Sequence, residues 1–196
     1  MTHTFAVSFD YRCPFARNAQ EAVVAGVREG RDWDVRYLAF SLDQVHVPEE
    51  EPPVWERPPG ERGSGVAALE WGIAVRDTFP EHFLDAHWAL FAARHDHGLK
   101  LGHVEVVRDA VATSGVDVDA VAAEVASGRP LKTLAEEHTE AVKRWAMFGV
   151  PTFCLDDDRA VFVRVMERNR PEDIDAVIDL FPFERLNEYK FTRIPR

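Results

Sequence analysis

Two cysteines in 196 residues cannot form a disulfide framework, and neither lies in a C-x-x-C pair, so a zinc site built on thiolates is excluded too. Lysine is equally scarce, present only at Lys100, Lys132, Lys143 and Lys190. With a formal net charge of −11, the chain has no cationic surplus to release counterions from phosphates, which argues against nucleic acid as a partner. No apolar run approaches the roughly 18 residues of a membrane span. The opening stretch MTHTFAVSFDYR lacks the basic, apolar and small-residue regions of a secretory signal. The expectation is therefore a cytoplasmic protein with no membrane partner. In that reducing compartment a bond between Cys13 and Cys154 is not expected, and their meaning rests on position.

What is present is an apolar content of 46%, enough for one substantial core. Residues 5–9, within TFAVSF, read as a strand. Residues 15–28 read as a helix stopped by Gly30, and residues 34–42, DVRYLAFSL, as a second strand. Strand, helix and strand make a βαβ unit with parallel strands and a right-handed crossover. Residues 47–65, VPEEEPPVWERPPGERGSG, predict an irregular loop. From 66 to 148 the pattern is helical, punctuated at Pro80, Gly98, Gly115, Gly128 and Gly149, which gives four or five helices with no strand among them. Strand character returns in VPTFCL (150–155). An acidic turn and AVFVRV (160–165) follow as a hairpin, and then a helix over 171–181 that opens with proline and two acids. The fold class is α/β: βαβ, a helical insertion, then ββα.

Cys13 lies at the first strand-to-helix corner, FDYRCPFAR, directly before Pro14. Proline at the first helical position sacrifices no hydrogen bond and fixes the turn, leaving the N–H groups of Phe15 and Ala16 near the sulfur. Those donors and the positive helix end favour thiolate, the nucleophile in disulfide exchange, and predict a Cys13 that ionises easily. Arg12 and Arg17 would add to this if their side chains turned inward.

This order of elements, with Cys13-Pro14 at the corner and Val150-Pro151-Thr152 opening the third strand, resembles the thioredoxin fold of the DsbA-like family. The resemblance implies a thioredoxin-like domain from 1–46 and 149–196, an inserted helical subdomain at 66–148, and a connecting loop at 47–65. It implies a cis Pro151 facing the reactive sulfur, so Cys13, Pro14 and Pro151 form the catalytic set, with Arg12, Phe15, Val150 and Thr152 around the substrate. The tail FERLNEYKFTRIPR is also similar to the basic tail of actinobacterial members that work with mycothiol. One departure stands out. Dithiol members carry C-x-x-C, whereas here the fourth position is Ala16, which leaves a monothiol route completed by a small thiol, mycothiol or glutathione.

Other candidates are weaker. His95, His97 and His103 lack the carboxylate or thiol that would complete a metal site, and no metal is expected. Trp71, Trp88, Trp145, Phe79, Phe83, Phe91 and Phe148 read mostly as core, with one or two rings free to line a pocket beside Cys13. Asp10 ends the first strand, either serving backbone donors or moving a proton for the cysteine. Cys154 sits among core residues, as a buried cysteine or else a resolving partner. The function expected is that of a DsbA-like, monothiol thiol-disulfide oxidoreductase or thiol transferase acting on a small thiol or disulfide. The alternatives are a glutathione- or mycothiol-dependent isomerase or transferase, similar to 2-hydroxychromene-2-carboxylate isomerases and kappa-type glutathione transferases, and a thioredoxin-fold binding module without turnover.

Overall fold

A computed structural model of the chain describes residues 2–155, 157–186 and 188. Asp156 of the acidic turn and most of the C-terminal segment likened to a basic tail lie outside the described residues. Strand β1 (His3–Phe9) runs at the centre of a four-stranded sheet of order β2-β1-β3-β4. Residues 5–9 are all buried, Ser8 included, because a central strand is covered on both faces. Helix α1 (Pro14–Arg28) returns against it with Ala16, Ala19, Ala22 and Val23 completely buried, small side chains that bring helix and sheet close. Strand β2 (Trp33–Ala39) pairs in parallel with β1, from His3 opposite Trp33 to Phe9 opposite Ala39.

The second strand stops three residues short of its expected end. Phe40 still bonds its N–H to the Phe9 carbonyl at 3.0 Å. Ser41 then takes the N-cap of a short helix α2 (Leu42–Val45), its hydroxyl accepting from the Gln44 N–H at 3.2 Å. The 47–65 loop is less irregular than its composition suggests. Two 3₁₀ turns, Val54–Glu56 and Pro59–Glu61, punctuate it, and Gln44 ties the buried Val54 in through its N–H at 2.8 Å.

Five helices fill the next stretch: α3 (Val66–Thr78), α4 (Pro80–His95), α5 (Val104–Ala112), α6 (Val118–Ala126) and α7 (Arg129–Trp145). Pro80 opens α4 rather than merely stopping α3. Gly72 of α3 is required by close approach, since a Cβ there would fall 2.3 Å from the hydroxyl of the buried Tyr11. Helix α7 ends before Gly149, because Ala146 adopts a left-handed conformation (φ 49°) and Met147 bonds back to the Ala141 carbonyl at 3.3 Å. Phe148 and Gly149 thereby become the approach to Pro151.

Strand β3 (Thr152–Cys154) pairs antiparallel with β1 on one side and with β4 (Ala160–Phe162) on the other. The fourth strand is shorter than the AVFVRV pattern suggests. After Val163 bonds its N–H to the Pro151 carbonyl at 3.3 Å, the Val165 carbonyl turns to accept from Asn18 of α1 at 3.0 Å. Helix α8 (Pro171–Leu180) closes the described chain beside α1. Phe153 meets Phe181 on the α8 side, whereas the next residue, Cys154, lines a cavity with Trp145 of α7. Successive residues of a strand point to opposite faces, so α8 and α7 cover opposite faces of the sheet. The end of β2 is held to α7 by polar groups. Glu137 accepts the Ala39 N–H at 2.8 Å and pairs with Arg76 at 2.9 Å, while His138 accepts the Ser41 N–H at 3.2 Å and stacks on Phe40.

Candidate functional site

Three elements converge on Cys13. It caps α1, with its backbone extended (φ −87°, ψ 119°) and Pro14 in the first turn. Its N–H bonds to the Asp10 carbonyl at 3.0 Å, which closes the corner after β1. The Sγ accepts the Ala16 N–H at 3.4 Å, and the thiol in turn donates to the Val150 carbonyl at 3.4 Å. The Val150–Pro151 peptide bond is cis. The sulfur is thus held between a helix N-terminus and the loop that enters β3, and it stays half-buried rather than enclosed.

The electrostatics run against easy ionisation. Burial pushes the Cys13 thiol above its ordinary value, and the Ala16 and Phe15 N–H groups only partly oppose this. Asp10 adds to the rise, and Arg164 works weakly against it. The contact with the Val150 carbonyl has the same sense, because only the protonated sulfur can donate there. The two arginines that flank the cysteine in sequence do not turn toward it. Arg12 pairs with Asp43 at 2.8 Å and lies 3.6 Å from Asp10. Arg17 pairs with the buried Glu21 at 2.8 Å and with Asp96 at 2.6 Å, in a cluster that Arg168 completes.

The remaining expected residues separate into two groups. Phe15 and Val150 stand at the sulfur with Pro14 and Pro151, Phe15 half-buried and Val150 buried. Thr152 braces the loop from behind, with its N–H on Ser8 Oγ at 2.8 Å and its hydroxyl on the Gly149 carbonyl at 2.7 Å. Asp10 is fully buried and accepts the N–H groups of Arg12 and Leu42, each at 2.8 Å, so it serves backbone donors. Burial raises its pKa. Of the three clustered histidines, His95 contacts the Tyr11 carbonyl at 2.9 Å and His103 lies near Glu105. Among the described residues no group of three or more His, Cys, Asp or Glu side chains is arranged to hold a metal.

Cys154 belongs to a different place. It pairs with Ala6 across the sheet, three residues before the end of β1, whereas Cys13 lies beyond that end. Three strand residues span about 10 Å, more than a disulfide tolerates between Cα atoms. Cys154 is 1% exposed and burial pushes its pKa up to about 12.

Phe15, and Phe148 among the rings free to line a pocket, were expected near Cys13, but sequence reasoning missed Phe162 and Arg164, which join them in a strip. Phe148, 66% exposed, meets Phe162 at 5.0 Å between ring centroids. The Arg164 guanidinium stands 5.7 Å from the Phe162 ring and 5.2 Å from the Phe15 ring. The signal was present in AVFVRV, whose alternation puts Phe162 and Arg164 on one face. Also missed was a buried chain under the corner. The Tyr11 hydroxyl meets His87 Nδ1 at 2.9 Å, His87 Nε2 meets the Gln20 side-chain oxygen at 3.2 Å, and the Gln20 amide donates to the Ser8 carbonyl at 3.1 Å. Desolvation lowers the His87 pKa to about 3, so the ring is neutral.

Comparison with known proteins gives the same architecture. The family model of the DSBA-like thioredoxin domain matches residues 80–178, a stretch that includes the Pro151 loop but begins after Cys13. No curated protein matches the chain. Among solved structures it is similar to a 2-hydroxychromene-2-carboxylate isomerase, with TM-score 0.64 and 16% identity over 95% of this chain and 100% of that one. It is also similar to the cytosolic disulfide reductase DsbM from Pseudomonas aeruginosa with GSH, with TM-score 0.59 and 18% identity over 90% of this chain and 97% of that one. DsbA from Pseudomonas aeruginosa gives TM-score 0.60 and 21% identity over 94% and 84%. At these identities the likeness speaks for the fold.

Proposed function

Because the chain belongs to the DSBA-like thioredoxin domain family, we propose that it is a thiol-disulfide oxidoreductase working through one cysteine, Cys13, with a low-molecular-weight thiol, glutathione or mycothiol, as co-substrate. The observation that carries this reading is the seat of the Cys13 sulfur, capped by the Ala16 N–H and facing Val150 and the cis Pro151 on its half-open side. The GSH in the DsbM structure supports a small thiol as co-substrate. The DsbM structure is that of a cytosolic disulfide reductase, which supports placing the reaction in the cytoplasm.

The cycle needs no second protein thiol. Cys13 loses its proton to solvent and attacks the small-thiol sulfur of a mixed disulfide. A Cys13–S–S bond forms, the bond to the substrate sulfur breaks, and the substrate leaves as thiolate and takes up a proton. A second molecule of small thiol then attacks the adduct, forming the small-thiol disulfide and returning Cys13 to the thiol. One disulfide is consumed and one is produced, so electrons balance. A thiol with a raised pKa leaves a disulfide reluctantly, so attack of the second small thiol on the adduct, with Cys13 departing, is the slower half of the cycle. Phe15 and Val150 contact the substrate in this scheme, while Arg12 and Thr152 hold the corner and the loop in place.

A glutathionylated peptide with excess glutathione tests the reading. The protein should accelerate release of the peptide thiol, and Cys13→Ser should abolish the acceleration while Cys154→Ser retains it. Equal rates with and without protein, repeated with the mycothiol analogue, would leave a binding module as the better account.

A further inference from the structure

The chain carries 34 acidic residues against 23 lysines and arginines, so most of its arginines find a carboxylate. Those around Arg164 illustrate this. Arg168 pairs with Glu21 and Asp96, Arg170 with Glu167 and Glu172, and Arg12 with Asp43. Arg164 has no carboxylate partner among the described residues, and its contacts are the faces of two rings. Phe15 is two residues from Cys13 on the first turn of α1, and Phe162 pairs with Thr152, the residue after Pro151. Just before Arg164, the Val163 N–H bonds to the Pro151 carbonyl at 3.3 Å. The guanidinium, on an exposed side chain, therefore rests against the same two elements that hold the sulfur. With its faces over the rings, its in-plane N–H donors remain for an anion, and the stacking limits the freedom lost on binding.

We propose that Arg164, stacked over Phe15 and Phe162 beside Cys13, takes a carboxylate of the incoming small-thiol disulfide and so makes anionic thiols of the glutathione class the preferred co-substrates. This rests on the monothiol reading of Cys13 and chooses within it, since mycothiol, a neutral sugar-linked thiol, offers no carboxylate to the guanidinium. Phe162 and the exposed Phe148 supply the apolar floor alongside. The covalent step is unchanged. Cys13 sulfur bonds to one sulfur of the disulfide and the other leaves as thiol, with Arg164 acting only through charge and orientation.

The experiment follows mixed-disulfide formation on the reduced full-length protein by intact mass with three probes: oxidised glutathione (anionic), hydroxyethyl disulfide (neutral) and cystamine (cationic). Rates for Arg164→Gln and Arg164→Lys are divided by those of wild type for each probe, which cancels the intrinsic reactivity of the probes. Arg164→Gln should slow oxidised glutathione about fivefold, the scale of one partly exposed ion pair, leave hydroxyethyl disulfide within about twofold, and speed cystamine. Arg164→Lys should recover part of the glutathione rate, and high salt should narrow the difference between probes. The same factor for all three probes, or no change in any, would overturn the role of Arg164 while leaving the monothiol reading intact. No adduct from any probe with wild type would overturn both.

Discussion

The two cysteines occupy sites that differ in every respect except the direction of their pKa shifts. Cys154 lies in β3 with neighbours on both sides, 1% exposed, and burial takes it to about 12 although Arg144 and Arg36 oppose the rise. Cys13 lies beyond the end of β1, half-open, with its rise opposed by two backbone N–H groups and one arginine. On the proposed function, the contrast makes the reactivity of Cys13 a matter of access and of donors placed for a departing or arriving charge, not of a thiolate held ready at rest. A resting thiol bonded to the Val150 carbonyl can be protected until a disulfide displaces that contact.

The largest effect is expected from giving Cys13 what Cys154 is too far away to supply. The Ala16 backbone nitrogen lies 3.4 Å from the Cys13 sulfur, and its side chain is completely buried behind it. Ala16→Cys should therefore release a bound small thiol and close a bond between positions 13 and 16. The adduct lifetime, followed by intact mass, should shorten at least about tenfold, because the resolving thiol becomes intramolecular. Retention of the adduct for as long as in wild type would mean that position 16 does not present its side chain to the sulfur.

A smaller effect probes the frame that holds the two sites apart. His138 fixes the Ser41 N–H at the end of β2, and burial lowers its pKa from 6.5 to about 4. A depressed histidine stabilises the folded state above pH 6.5, and that contribution is lost as pH falls toward 4, because the unfolded chain takes up the proton first. His87 acts in the same direction over a wider range, while the raised Asp10 and Glu70 oppose both. Urea denaturation at pH 7.5 and 5 should show wild type losing stability on acidification. His138→Gln should lose less, by on the order of 1 to 3 kcal/mol. Equal losses would remove His138 from the acid sensitivity.

The frame was legible where a residue's local chemistry and its tertiary use coincide. Pro14 after Cys13, proline at the start of α8 and the apolar stretch at residues 5–7 of β1 each specify an element without help from the rest of the chain. The extent of β2 was misread because Ser41 looks equally at home at the end of a strand and as a helix cap, and only its bond to Gln44 decides. The end of α7 was placed at Gly149 because glycine is the usual stop, whereas Ala146 accepts the left-handed turn instead. At the site, the position of Cys13 could be read from sequence but its ionisation could not. The helix N-terminus is a local feature, while the burial that outweighs it comes from Val150 and the surrounding chain far away in sequence. Arg12 and Arg17 would aid the sulfur only if their side chains turned inward, and Asp43, Glu21 and Asp96 claim them in space. Arg164, distant in sequence, stands closer in function.

The most direct measurement locates the adduct. Reduced wild-type protein, exposed at pH 8 to oxidised glutathione, would be quenched in acid and digested, and each cysteine peptide weighed. The account predicts one glutathione per chain, on Cys13, with Cys154 unmodified until the protein is denatured. Modification of Cys154 in the native protein, or of neither cysteine, would contradict it.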